Sequence, residues 1–569
     1  MDNKLKKTVF VLCCMASSLL YAQSQYEVVV KSAFSPVIQD AQKKINFPAK
    51  ITDTVQSRQT VDYDVRVRPL QPHFTPEPIV APKVGKDQID RLYHHYLKAG
   101  VGYLQPFLEY DFSTLRSKSR AFGLHLLSHS SFDQVRYSGP SSFTNNHLNF
   151  YGQQFAQNFI FEEQLGYGFD LYHCYGYPAD SLEAAYNWTQ TAQQIARYYH
   201  QASAGMKAYT RYGKSLKLNQ MYTGNYDFLY DNYHSFEHRA RASALLDKRL
   251  MTSRIDYFKL GGQLNAEYLH DKWDTSGVLE DIWQFGINPH AQITEGLWQI
   301  RMGLQFSTAL QNGDFHWGLF PDVRISYDIV PNVLSFYTGA VGEIRYLSYA
   351  ELSRENPFLA PQLEQDFDHI YHFYVATKTN LSHALSFGAR VSVTNYSAMP
   401  YFLPDTTPVK MNDTLSLALK NTFLINQARV LSTDIHIDLS YRYKEVLQCA
   451  LNFDYNSYST ADTVTIYYKP HYIFSLDMNY SLKRKISVGT QFVLKADAYY
   501  PEFVAGGVDK EPLATWFDWS VKMEYKWSRR LRFFADLNNL IGRSNQMYDF
   551  YYSERFNCLF GVKYIFGGE

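Results

Sequence analysis

Apolar and polar side chains take turns along many stretches of this chain. Trp298, Ile300, Met302, Leu304, Phe306, Thr308 and Leu310 interleave with Gln299, Arg301, Gly303, Gln305 and Ser307. Ile435, Ile437, Leu439, Tyr441 and Tyr443 alternate with Asp434, His436, Asp438, Ser440 and Arg442. The same rhythm runs through 472–480, 486–494 and 519–527. A period of two predicts strands with one greasy face and one wettable face. Strands of soluble sandwiches share that alternation. These segments are longer than the usual soluble strand of about 5–6 residues, and they match the ~9–11 residues of a tilted membrane strand. Tyr or Trp stands at the ends of most of them, as a headgroup boundary favours. The fold expected is all-β: a large antiparallel transmembrane β-barrel of about 16–22 strands, nearer the upper end, with an even total.

Closure follows from energetics. In hydrocarbon an unpaired backbone group costs several kcal/mol, so a spanning sheet must leave no edge. Tight turns at 482–485 and 528–530 fall on one side of such a barrel. Longer segments near 132–145, 177–192, 271–281, 351–366, 400–414 and 500–513 fall on the other. The inward positions carry both signs, among them Arg301, Asp434, Asp438, Arg442, Lys522 and Glu524. Mixed signs point to cross-linked ion pairs or a wall touching an inner segment, or equally to a simple solvated wall; a selective pore more often shows rings of one sign.

Composition agrees with the pattern. Aromatic residues make up 17% of the chain, yet the mean hydropathy is −0.33. After the amino terminus no run approaches the ~18 apolar residues of a membrane helix. Lys and Arg number 55 and so do Asp and Glu, so no basic field points to nucleic acid.

The amino terminus reads as a secretory leader. Lys4, Lys6 and Lys7 precede an apolar run from Val9 to Leu20, and Ala22 is the expected cleavage point. Cys13 and Cys14 lie inside that apolar run, which excludes a lipoprotein reading. The remaining Cys174, Cys449 and Cys558 have neither disulfide nor metal-ligand spacing. Residues 23–91 hold seven of the chain's 21 prolines and predict an extended segment, periplasmic or lumenal. The barrel is expected over 92–569, in the cell outer membrane.

The last strand places Phe556, Cys558, Phe560, Val562, Tyr564 and Phe566 on one face. Phe560, Tyr564 and Phe566 resemble the carboxyl-terminal assembly signal of outer-membrane proteins, which implies the barrel-insertion machinery and outer-membrane lipid as partners. Gly567-Gly568-Glu569 trail beyond it. Two further stretches resemble the barrels of TonB-dependent receptors. Glu355-Asn356-Pro357-Phe358-Leu359-Ala360-Pro361 is similar to their Asn-Pro-x-Leu-x-Pro turn. Leu537-Asn538-Asn539-Leu540, Tyr548 and Tyr551-Tyr552 are similar to their closing hairpin.

The resemblance stops at the front. Those receptors carry a folded plug, and the 69 residues from 23 to 91 are too few for one. The chain therefore resembles a plugless relative of the type common in Bacteroidota. Glu27-Val28-Val29-Val30 is only weakly like the box that TonB grips, so energised uptake is not carried over. A docking, scaffolding or partner-gated role with an envelope protein is expected, since a large plugless barrel leaks unless something fills it. A passive porin or small-solute transporter is the alternative.

No enzyme or cofactor site is expected. Asp434, His436 and Asp438 share the inward face, but no nucleophile is assigned to them. Adjacent His94 and His95 are expected on opposite faces, so no metal is placed between them.

Overall fold

The structure, a computed structural model, describes residues 93–568 except 115–116, 212–217, 251–256, 273–278, 361–365, 412–414, 462–463 and 505–506. The leader, its cleavage point Ala22 and the proline-rich segment 23–91 lie outside the described residues.

One antiparallel sheet of 22 strands closes on itself. The strand Tyr93–Gly102 pairs on one side with Gln105–Ser113 and on the other with the last strand, Asn557–Gly568. At the seam Leu97 faces Tyr564 and Val101 faces Phe560. The even total at the top of the expected range leaves no free edge in the sheet.

The alternation places side chains as expected. Met302, Leu304 and Phe306 point outward and keep between 42% and 48% of their surface, as side chains facing lipid would. Aromatic pairs mark the outer wall near strand ends, with Trp298 stacked on Tyr327 at 4.3 Å. At the seam Phe566 stacks on His95 at 4.6 Å. His94 departs from the expected opposite face. Its ring lies 6.2 Å from His95, and its Nδ1 donates to the Ser113 carbonyl at the end of the neighbouring strand. Strand alternation does not bind a side chain at the very start of a strand.

The two ends of the barrel differ. One carries tight connections such as Lys483-Arg484, where both residues have positive φ, as a type I′ turn requires. The other carries the long segments. The apolar side chains most withdrawn from solvent gather in three clusters at or near this second end.

Candidate functional site: the capped mouth

The largest of these clusters is built by four long loops. They follow the strands Phe159–His173, Leu334–Arg345, Leu385–Pro404 and Leu531–Asn538; the second and third are one strand apart, and the other two lie well away round the ring. Their side chains nevertheless pack with the strand residues Tyr199 and Phe423 into one core that also holds Cys174, Tyr177, Leu352, Phe358, Tyr548 and Tyr551.

Three short helices shape these loops. In the first loop, α1 (Ala179–Tyr186) buries Leu182 and ends at Asn187, whose left-handed φ of 51° stops it. Next comes α2 (Ala192–Ile195), held by a capping box between Thr191 and Gln194. The second loop holds α3 (Tyr349–Glu355). Ser348 caps it by accepting from the Glu351 amide at 3.2 Å, and Pro357 prevents its continuation. Its inward face consists of Tyr349, Ala350, Leu352 and Ser353.

α3 is fastened to the wall by ion pairs. Arg197, on the strand Ala196–Thr210, meets Asp231 of the next strand at 3.0 Å, and neither side chain is exposed. The Tyr349 hydroxyl donates to Asp231 and accepts from Arg197, closing a triangle. Asp231 also accepts from the Tyr233 and Ser235 amides, so the carboxylate holds the turn between two strands. The Arg197 guanidinium lies 4.0 Å from the centroid of Tyr233. One strand further, Arg239 binds Glu351 of α3 at 2.7 Å and Glu267 of the wall at 2.5 Å.

The chain after α3 forms the centre of the cap. Asn356, Phe358, Leu359 and Ala360 are all buried. The Phe358 carbonyl accepts from the Phe423 amide at 2.9 Å, and the Ala360 amide donates to the Phe423 carbonyl at 2.8 Å. Phe358 stacks on Tyr551 at 4.1 Å and meets Tyr548 edge-on at 6.4 Å. The Tyr548 hydroxyl donates to the Glu355 carbonyl, and that of Tyr551 to the Asn421 carbonyl. Asn421 in turn donates to the carbonyl of Cys174. Burial pushes the phenols of Tyr548 and Tyr551 above their ordinary range and the Cys174 thiol up to about 11.

The inward residues expected to carry charge take up different roles. Arg301 pairs with Asp322 at 3.0 Å. Glu524 binds both Arg532 and Lys563 across neighbouring strands. At these two positions the wall is cross-linked by ion pairs, one of the alternatives that mixed signs left open. Asp434 accepts from Ser432, and Asp438 lies 3.8 Å from His436, which bonds Asp454 at 2.6 Å. Among the described residues Arg442 and Lys522 enter no ion pair. None of the six sits in the cap. Phe560, Tyr564 and Phe566 lie along the outer face at the seam.

Sequence reasoning missed Arg197, Asp231 and Arg239, which look like any other inward polar positions. Their nearness to strand ends at the long-loop side is a signal, but their partner on α3 is a tertiary fact.

No family model matches the chain, and neither does any curated protein. Solved structures do. The siderophore receptor PirA from Acinetobacter baumannii superposes with a TM-score of 0.64 at 11% identity, covering 84% of this chain and 81% of that one. The barrel architecture is shared with that receptor. The ferric-catecholate import receptor Fiu from E. coli K12 matches with a TM-score of 0.61 at 10% identity, over 84% of this chain and 82% of that one. The FrpB iron transporter from Neisseria meningitidis gives 0.62 at 9% identity, over the same shares. At such identities the likeness speaks for architecture and is silent on ligand.

Proposed function

We propose that the protein is a plugless, receptor-type barrel of the outer membrane that acts as a docking and partner-gated component of the envelope. The observation that carries this reading is the single apolar core in which four loops from three parts of the ring meet. Opening it exposes apolar surface at about 25 cal/mol per Å². A barrel held that way favours a closed resting mouth over a standing pore. Barrels of this class turn short connections to the periplasm and long loops outward, so the capped end is the outer face.

Docking draws support from the loops on either side of the seam. Tyr103, Phe132, Tyr137, Val508, Ile541 and Met547 keep about half or more of their surface exposed there. Brought together against a partner, these side chains would supply the apolar contact that docking needs. The plugless form rests on the shortness and proline content of residues 23–91.

Conductance of the purified full-length protein in a planar bilayer tests the reading. Silence or brief openings are expected. Large steady openings would establish a passive porin instead. Extraction in mild detergent that returns the barrel without any companion would count against docking.

A further inference from the structure

Away from the cap, the inner wall beside the seam gathers a different chemistry. On the strand Gln105–Ser113, Glu109 and Asp111 are two apart and point inward together. Asp111 stands opposite His125 of the next strand, and the imidazole Nδ1 lies 2.6 Å from the Asp111 carboxylate. Ligand atoms of Glu109, Asp111 and His125 all fall within 4.8 Å of one another. In register, Tyr96 stands opposite Asp111 and Asn149 opposite His125, so oxygen donors flank the group.

The two carboxylates lack the compensation that several other inward acids have. Asp227, Asp247, Glu267, Asp322 and Glu524 each hold a Lys or Arg within ion-pair distance. Among the described residues Glu109 and Asp111 hold none. Lys98, which stands opposite Glu109, turns instead to Asp536 at 3.6 Å. Other inward histidines also bond a carboxylate, such as His147 with Asp170 and His290 with Asp247. At His436 two acids lie at different ring nitrogens, Asp454 at Nδ1 and Asp438 at Nε2, so they bridge the ring and share no point. Only at His125, among the described residues, do an imidazole and two carboxylates converge.

The geometry points to a divalent transition-metal site formed by Glu109, Asp111 and His125 on the lumenal wall. One imidazole and two carboxylates are a donor set that Zn²⁺ and its first-row neighbours accept, and lumenal water would complete the shell. Bonds of about 2.1 Å bring ligand atoms to within about 4.2 Å of each other. A side-chain movement of no more than about 0.6 Å would close the group from 4.8 Å to that span. The ion would replace the proton now held between His125 and Asp111, and two carboxylates would balance its charge.

Calorimetric titration of untagged, chelator-treated full-length protein in detergent with Zn²⁺ tests the site. One saturable event per barrel is expected. His125→Ala and the pair Glu109→Gln with Asp111→Asn should each weaken it by roughly tenfold or more, since even outer-shell losses cost that much. His436→Ala should leave it unchanged. If His125→Ala does not insert, His125→Gln carries the same expectation, because it keeps a donor toward Asp111 but offers no imidazole. Co²⁺ in place of Zn²⁺ should give a visible spectrum that the same variants abolish. No saturable binding, equal binding in every variant, or loss on His436→Ala would each overturn the proposal.

Discussion

Phe358 and Tyr551 stack with their ring centroids 4.1 Å apart and their planes inclined by 27°. Each belongs to one of the two stretches that resemble receptor barrels, and the two stretches meet at this pair. Replacing Phe358 with Ala removes a buried aromatic and leaves a void, at a cost of about 3–5 kcal/mol. That loss falls on the cap and not on the sheet. The variant should still run as a heat-modifiable folded barrel in gels, while its loops become sensitive to protease and its bilayer recordings show frequent openings. A variant as silent and as resistant as the parent would count against the cap as the closing element.

Arg197 and Asp231 form a pair with no exposure to solvent. Removing one partner of such a pair leaves a stranded charge, at about 3–5 kcal/mol. Arg197→Met should therefore lower the denaturant midpoint clearly. Adding Asp231→Asn should restore much of the loss, because the amide oxygen still serves the turn amides of Tyr233 and Ser235. Fluorescence-monitored unfolding of the two single variants and the double variant measures the coupling.

The cap should respond to alkali before the sheet does. Burial holds the phenols of Tyr349, Tyr548 and Tyr551 above their ordinary value of 10.0. A raised folded value means the neutral phenol's stabilisation is complete below about pH 10 and is lost as pH climbs through the raised values. Protease sensitivity of the loops should rise only above that point and revert on return to neutral pH. The Cys174 thiol, pushed up to about 11, gives a second readout. At pH 8 roughly one thiol in a thousand is ionised, so maleimide labelling should be slow in leaderless protein carrying Cys449→Ala and Cys558→Ala, where Cys174 is the one thiol left. Phe358→Ala should speed it.

The exposed loop side chains near the seam give a docking test. Phe132→Asp with Tyr137→Asp adds charge to side chains that are 56% and 64% exposed. Barrel stability should change by about 0.5 kcal/mol or less, as for most surface substitutions. Co-purification of an envelope partner should fall sharply. Unchanged recovery of the partner would move the docking surface elsewhere.

At the other end of the outer face, Phe566 packs on His95 across the closing seam. Phe566→Asp places a charge among the aromatic rings of the seam and also alters the strand proposed to be read during assembly. Outer-membrane levels in cells should drop, with precursor accumulating, as fractionation and immunoblotting would show. Normal levels would remove Phe566 from any assembly signal.

Much of this architecture was legible in the chain itself. Period-two alternation at 298–310 and 434–443 is a local property, because lipid on one face and water on the other act on each residue separately. Length, aromatic ends and the need to pair every backbone amide then dictate a closed antiparallel barrel and the side on which its long loops lie. The segment around Phe358 was visible as a loop bracketed by prolines, and Tyr548 and Tyr551 as part of a closing hairpin. Nothing local says that these touch, or that Arg197 and Asp231 would hold Tyr349. Loop sequences carry no periodic signal, and their contacts join parts of the ring that lie far apart along the chain. The convergence of Glu109, Asp111 and His125 stands between these cases. Alternation puts the two acids on one face, but only the register of the sheet sets the imidazole beside them.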